Sequence, residues 1–146
     1  MKKIENITQI DAPAGKVWQV LTDRQYYSKW YEAFGMGSQA IGEWKQGEKI
    51  IFADDKGMGL IGNIAVFDKD KEIRIDMKGL LIDGVEDYES DDAKALGLAQ
   101  ERYVLNEENG VTTLHTSADM DEAWFESMSE SWKEALKQIK QLSESN

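Results

Sequence analysis

The chain has 146 residues, 41% of them hydrophobic and 10% aromatic, with a formal charge of −11 at neutral pH and no cysteine. A chain of that length buries roughly 70% of its unfolded surface, so it needs no disulfide or metal staple. The absence of thiols excludes cysteine nucleophiles, thiolate metal sites and disulfides, and the acidic balance disfavours nucleic acid and anionic lipid as partners. The charge reads first as solubility, with an acidic docking surface as the alternative. No apolar run follows the basic start Met1-Lys2-Lys3-Ile4-Glu5, and no segment approaches the roughly 20 apolar residues of a membrane span. The expectation is one cytoplasmic domain over residues 1–146, with no signal peptide.

Lys2 to Ile10 alternates as a strand, with Ile4 and Ile7 marking a change of face. Pro13, the sole proline, suits the first helical position because its φ is fixed and its missing N–H is not needed there, with Asp11 or Ala12 as the cap. Val17, Trp18, Val20 and Leu21 then form the apolar side of a helix of about two turns. Asp23 restarts a second short helix carrying Tyr26, Tyr27, Trp30 and Tyr31, and Phe34 follows before Gly35 and Gly37 end the unit.

The middle of the chain reads as an antiparallel meander punctuated by glycine. Its strands are predicted over Gln39 to Trp44, Lys49 to Ala53, Gly59 to Phe67 and Glu72 to Lys78, with turns at Asp54-Asp55-Lys56-Gly57 and Asp68-Lys69-Asp70-Lys71. The acidic stretch Ile82 to Gly97 breaks this pattern. It reads as a solvated loop holding a short helix capped by Ser90 and ended by Gly97, with a lid or rim over a cavity as the alternative. Gln100 to Glu107 and Val111 to Ala118 form a last hairpin around Asn109-Gly110, a strong hairpin signal. From Glu122 to about Ser143, the residues Phe125, Met128, Trp132, Leu136, Ile139 and Leu142 repeat every three or four positions and define one helical face. A sheet wrapped around that terminal helix would enclose a cavity.

Taken together, Ile10-Asp11-Ala12-Pro13 and Val17-Trp18-Gln19-Val20-Leu21-Thr22-Asp23 resemble the opening of the activator-of-heat-shock-protein-90-ATPase-like branch of the START-like, or polyketide cyclase, superfamily. Further matches follow in order along the whole chain. They are the aromatics through Trp30, Gly37-Ser38, Trp44 with Gly47, Gly84-Val85-Glu86-Asp87, Tyr103-Val104-Leu105 and Trp132-Lys133-Glu134-Ala135-Leu136. The resemblance implies an α+β helix-grip fold: a curved antiparallel sheet, two short helices after strand 1, and a long C-terminal helix across the concave face. It also implies a cavity that often holds lipids, sterols, polyketides or other apolar molecules. Members of such a superfamily catalyse, carry or assist a chaperone, so fold alone does not settle function.

Among residues able to carry chemistry, His115 is the sole histidine, and strand alternation puts it on the face opposite Leu114 and Thr116, outside the cavity. Without a second histidine or a cysteine there is no ligand set for zinc and no catalytic triad. Glu101 shares the parity of Tyr103 and Leu105, which points it inward, with Thr116 near it across the hairpin. A carboxylate there could bind a ligand hydroxyl or amine, act as a general base, or sit wetted and idle at the open end of the sheet. Trp30, Phe34, Phe52, Tyr103, Trp124 and Trp132 are expected to converge on the cavity with Met58, Met77 and Met128, as core or as lining. Trp124 and Phe125 are adjacent and cannot share a helical face, so one of them guards the mouth. Asp83, Glu86, Asp87, Glu89, Asp91 and Asp92 lack the spacing of a calcium loop, and Gly57-Met58-Gly59 lacks the setting of a nucleotide loop.

The sequence thus reads first as a binding protein for a small apolar or amphipathic molecule (lipid-like, aromatic or polyketide-like), with no cofactor or metal. Glu101, Thr116 and Tyr103 would orient the ligand. The alternatives are a chaperone-associated ATPase activator working by protein contact, and a cyclase- or hydrolase-type enzyme using Glu101 as base.

Overall fold

A computed structural model describes residues 1–35 and 37–145. Strand β1 (Lys2–Ile10) leads into helices α1 (Ala14–Thr22) and α2 (Arg24–Trp30) and a 3-10 turn over Tyr31–Phe34. The meander is β2 (Gln39–Ile41), β3 (Lys49–Ala53), β4 (Gly59–Asp68), β5 (Glu72–Ile82) and β6 (Val85–Asp87). Helix α3 (Asp91–Leu96), the hairpin β7 (Gln100–Glu108) and β8 (Val111–Met120), and α4 (Glu122–Glu144) complete the described chain. All strand pairs are antiparallel, in the order β1-β8-β7-β5-β4-β3-β2, with β6 pairing beside the end of β5. This is the expected α+β helix-grip.

The sheet curls where the β4–β5 ladder slips, between Ile61 and Gly62 and again between Ile64 and Val66. Such irregularities bend a strand and increase its twist. Glycine is required at the first: a Cβ on Gly62 would stand 2.5 Å from Cγ2 of Ile75. Helix α4 crosses the concave side and buries Trp132, Ala135, Leu136 and Ile139 against β1 and the first helical unit. Its first turn is capped by Asp121, whose carboxylate accepts from the Ala123 amide.

The strand-to-helix junction is held by partners far away in sequence. Pro13 adopts φ −69° and ψ 157° and lies outside the helix, which begins at Ala14, so the expected cap at Asp11 or Ala12 is displaced. No side chain of the junction caps α1; instead Glu107 on β7 accepts the Ala14 amide at 2.7 Å, placing a carboxylate at the positive end of the helix. The Thr112 hydroxyl donates to the Ala12 carbonyl at 2.7 Å, and Glu144 accepts the Asp11 amide at 2.8 Å. At the other end of α1, the Val20 carbonyl is among those without an intrahelical partner. The Trp30 indole N–H supplies one at 2.8 Å.

Three boundaries differ from expectation. Strand β2 stops at Ile41 because Gly42 takes φ +133° and turns the chain. Strand β5 runs on to Ile82, where Asp83 (φ 51°) and Gly84 (φ 77°) make a tight turn into β6. The stretch from Ile82 to Gly97, read as a solvated loop, is therefore a small hairpin followed by α3, capped by Ser90 as expected. Among the described residues no helix is long and apolar enough to cross a membrane.

Trp30→Phe keeps the ring but strands the Val20 carbonyl. It should lower unfolding free energy by about 1–3 kcal/mol in urea, whereas an unchanged midpoint would show that the indole bond contributes nothing.

Candidate functional site

One helix cannot cover the whole concave face, and the uncovered part, lined by residues of β3, β4, β5, β7 and β8, is a cavity of about 690 Å³. Its deep wall includes Phe52 on β3, Met77 on β5, Glu101 on β7 and Trp132 on α4, all buried. Phe34 and Met128, half-buried, close in from the 3-10 turn and α4. Phe34 meets Trp132 edge-on at 5.1 Å between ring centres. At the mouth stand Met58 and Trp124, the latter 60% exposed. Phe125 packs against the core instead, so Trp124 is the aromatic at the rim. Helix α3 contributes Asp92, Ala95 and Leu96 to the same rim.

Three residues expected at the cavity stand behind its wall. Trp30 is in the core, committed to Val20 and edge-on to Tyr27 at 4.8 Å. Tyr103 is buried under Trp132, with ring centres 5.9 Å apart, and Thr116 is its partner across the β7–β8 ladder. Conversely Tyr31, Ser38, Leu60, Leu80 and Ala118 line the cavity and were not singled out from the sequence. Ala118 could have been, because it continues the inward parity of Leu114 and Thr116. Leu80 lies in the part of β5 beyond its expected end.

The polar interior is concentrated around Glu101. The residue is 9% exposed, and its buried Oε2 has no hydrogen-bond partner. Three hydroxyls elsewhere in the buried interior, on Tyr27, Thr116 and Ser143, are also unpartnered. Groups of this kind are uncommon in folded proteins and call for an explanation, such as a ligand, ion or water. Loss of hydration pushes Glu101 up to about 7, while hydrogen bonding from the Tyr103 hydroxyl pulls modestly the other way. Tyr27, Tyr31 and Tyr103 are all pushed well above the usual tyrosine range, mainly by burial and further by the nearby Glu101 charge. They remain neutral donors. Across the ladders Glu101 faces Ile75 on one side and Ala118 on the other, so a small side chain leaves room beside the carboxylate.

His115 is exposed on the outer face, 3.9 Å from Glu5, as its parity required. Among the described residues no group of three or more His, Asp or Glu is arranged to hold a metal ion.

A family model described as Activator of Hsp90 ATPase homolog 1-like protein matches residues 11–144. Several solved structures share the fold. The solution structure of the Aha1 dimer from Colwellia psychrerythraea is 16% identical with a TM-score of 0.75, covering 99% of this chain and 97% of that one. Protein CV1439 from Chromobacterium violaceum is 16% identical with a TM-score of 0.74, and both chains are covered completely (100%). DynU16, a protein in the dynemicin biosynthetic locus, is 12% identical with a TM-score of 0.71; 97% of this chain aligns with 46% of it. No curated protein sequence is similar enough to count as a match.

Glu101 carries a pH signature. Unfolded, its carboxyl titrates near 4.5; folded, near 7. Between those values the unfolded chain releases a proton that the folded chain keeps, so the native state loses stability as pH rises through this window. The loss is on the order of 3 kcal/mol. Glu101→Gln should therefore be more stable than the parent above about pH 7, with the advantage shrinking to little below about pH 4.5. Urea unfolding of both proteins across this range would show it, and a pH-independent difference would contradict it.

Proposed function

Because the chain belongs to the Activator of Hsp90 ATPase homolog 1-like family, a branch of the START-like superfamily, we propose that it binds a small apolar or amphipathic molecule between its sheet and α4. The observation that carries this reading is the cavity of about 690 Å³, a size typical of sites for small organic ligands. Its wall is aromatic, aliphatic and Met-rich around one buried carboxyl, which suits a ligand with an apolar body and a polar handle. Transfer of apolar ligand surface out of water supplies the affinity, at about 25 cal/mol per Å² before the costs of association. Met58, Met77 and Met128 adapt to shape, Phe34, Phe52 and Trp132 provide flat contact, and Trp124 covers the mouth. Glu101 fixes orientation, with Tyr103 and Thr116 behind it. The location of DynU16 in a biosynthetic locus is in keeping with small-molecule work on this fold. The reading takes residues 1–146 as one domain and, from the absence of cysteine, the cytoplasm as its setting.

Family membership also supports a second reading, a chaperone-associated activator acting through its surface. Adding the protein to the chaperone should then raise its ATPase rate, and an unchanged rate removes this reading.

Ala118→Phe places a ring in the space beside Glu101. Nile red, a neutral apolar dye, should bind the parent and bind this variant at least about tenfold more weakly, with cooperative unfolding retained. Undiminished dye binding by the folded variant would move the site elsewhere.

A further inference from the structure

The charges around the cavity are one-sided. Asp54, Asp92, Glu101, Asp119 and Asp121 line it, and among the described residues no Lys, Arg or His side chain does. Most of the aspartates also have local structural duties. Asp54 accepts the amides of Lys56 and Met58, which hold it below the usual carboxylate range. Asp121 caps α4, and Asp119 accepts the Gln100 amide and lies 3.7 Å from Lys3. These duties explain why aspartates stand there but leave their charges in place.

Glu101 has no comparable structural task. It helps no turn and caps no helix, and Oε2 lacks any partner although the residue is more than nine-tenths buried. An isolated buried carboxylate is costly unless something pairs with it. The residue directly across from it is only Ala118, and Glu101 itself lines the cavity. The rings of Phe34, Phe52 and Trp132 line the same cavity, with Tyr31 stacked on Tyr27 at 4.6 Å and on Phe52 at 5.6 Å. Aromatic faces attract a cation through their quadrupole, most strongly where water is excluded. A carboxylate or phosphate ligand would meet the five acidic groups against one cationic group of the described lining, the Met1 α-ammonium.

We infer that the ligand is an amphipathic cation, an amine or substituted ammonium whose positive nitrogen sits against Glu101 while its apolar body fills the Met-rich remainder of the cavity. This rests on the cavity being the binding site. Binding of such a ligand favours ionised Glu101, so affinity rises with pH as the carboxyl loses its proton. The other titratable groups near Glu101 are Tyr31 from the 3-10 turn, at the cavity, and Tyr27 from α2 and Tyr103 from β7, behind its wall. Their hydroxyls stay neutral through the range, pushed up by burial. Asp54, Asp92, Asp119 and Asp121, from β3–β4, α3, β8 and α4, also line the cavity, and the positive groups beside them are the Met1 α-ammonium and Lys3, the latter on Asp119.

The test is a matched series of probes, dodecylamine, dodecanol and dodecanoate, titrated by calorimetry at physiological ionic strength, where exposed charges are screened. The parent should bind the amine at least about tenfold more tightly than the alcohol, and the carboxylate most weakly. Glu101→Gln should bring amine and alcohol within about threefold of each other, while binding of the alcohol persists. In the unaltered protein, the amine-to-alcohol ratio should fall at least several-fold between about pH 8.5 and about pH 5.5, which keeps the test independent of any variant. Equal binding of all three probes, or an amine preference untouched by Glu101→Gln and by pH, overturns the inference and leaves the cavity reading standing. Failure of all three to bind overturns both.

Discussion

Everything functional here follows from a mismatch of shape: a sheet that curls around a single helix presents more concave surface than that helix can cover. Helix α4 seals the β1 side, where Leu136 and Ile139 are buried. Toward its start, α4 presents Trp124, Met128 and Trp132 to the cavity, and residues of β3, β4, β5, β7 and β8 line the opposite side. Side chains alone do not fill that space. The curl itself depends on the two ladder slips in β4–β5 and on Gly62, which lets Ile75 come close.

The remainder of the architecture keeps that geometry rigid. Glu107 and Thr112 from the hairpin, and Glu144 from the end of α4, all bind the backbone of the short link between β1 and α1. Trp30 closes the far end of α1. The first helical unit is thereby tied to the β7–β8 hairpin and to the end of α4. This places Tyr31 and Phe34 as a fixed wall of the cavity. The aromatic cluster thus divides its labour, with Trp18, Tyr27 and Trp30 as scaffold and Phe34, Phe52 and Trp132 as lining.

Much of this was legible in the amino-acid order, and the exceptions have physical causes. Parity alone put Glu101 inward and His115 outward, because a strand has a period of two and the Asn109-Gly110 turn sets its register. Parity could not separate Phe52, at the cavity, from Tyr103, behind it, because both face inward and only the path of α4 distinguishes them. Trp30 looked like lining because local spacing does not reveal a bond to the Val20 carbonyl. The Asp83-Gly84 turn was a readable hairpin signal hidden in an acidic stretch, and recognising it would have extended β5 past Leu80 to Ile82. The capping of α1 by Glu107 spans 93 positions and left no local trace.

The central claim is that the space beside Trp132 and Trp124 is a binding cavity and the space around the other tryptophans is solid core. The five indole N–H groups provide a direct test by proton–nitrogen NMR, with dodecanol titrated into labelled protein. The account predicts that Trp124 and Trp132 shift in a saturable manner while Trp18 and Trp30, which take no part in the lining, stay within the noise. Unmoved signals throughout, or shifts centred on Trp18 and Trp30, would contradict it.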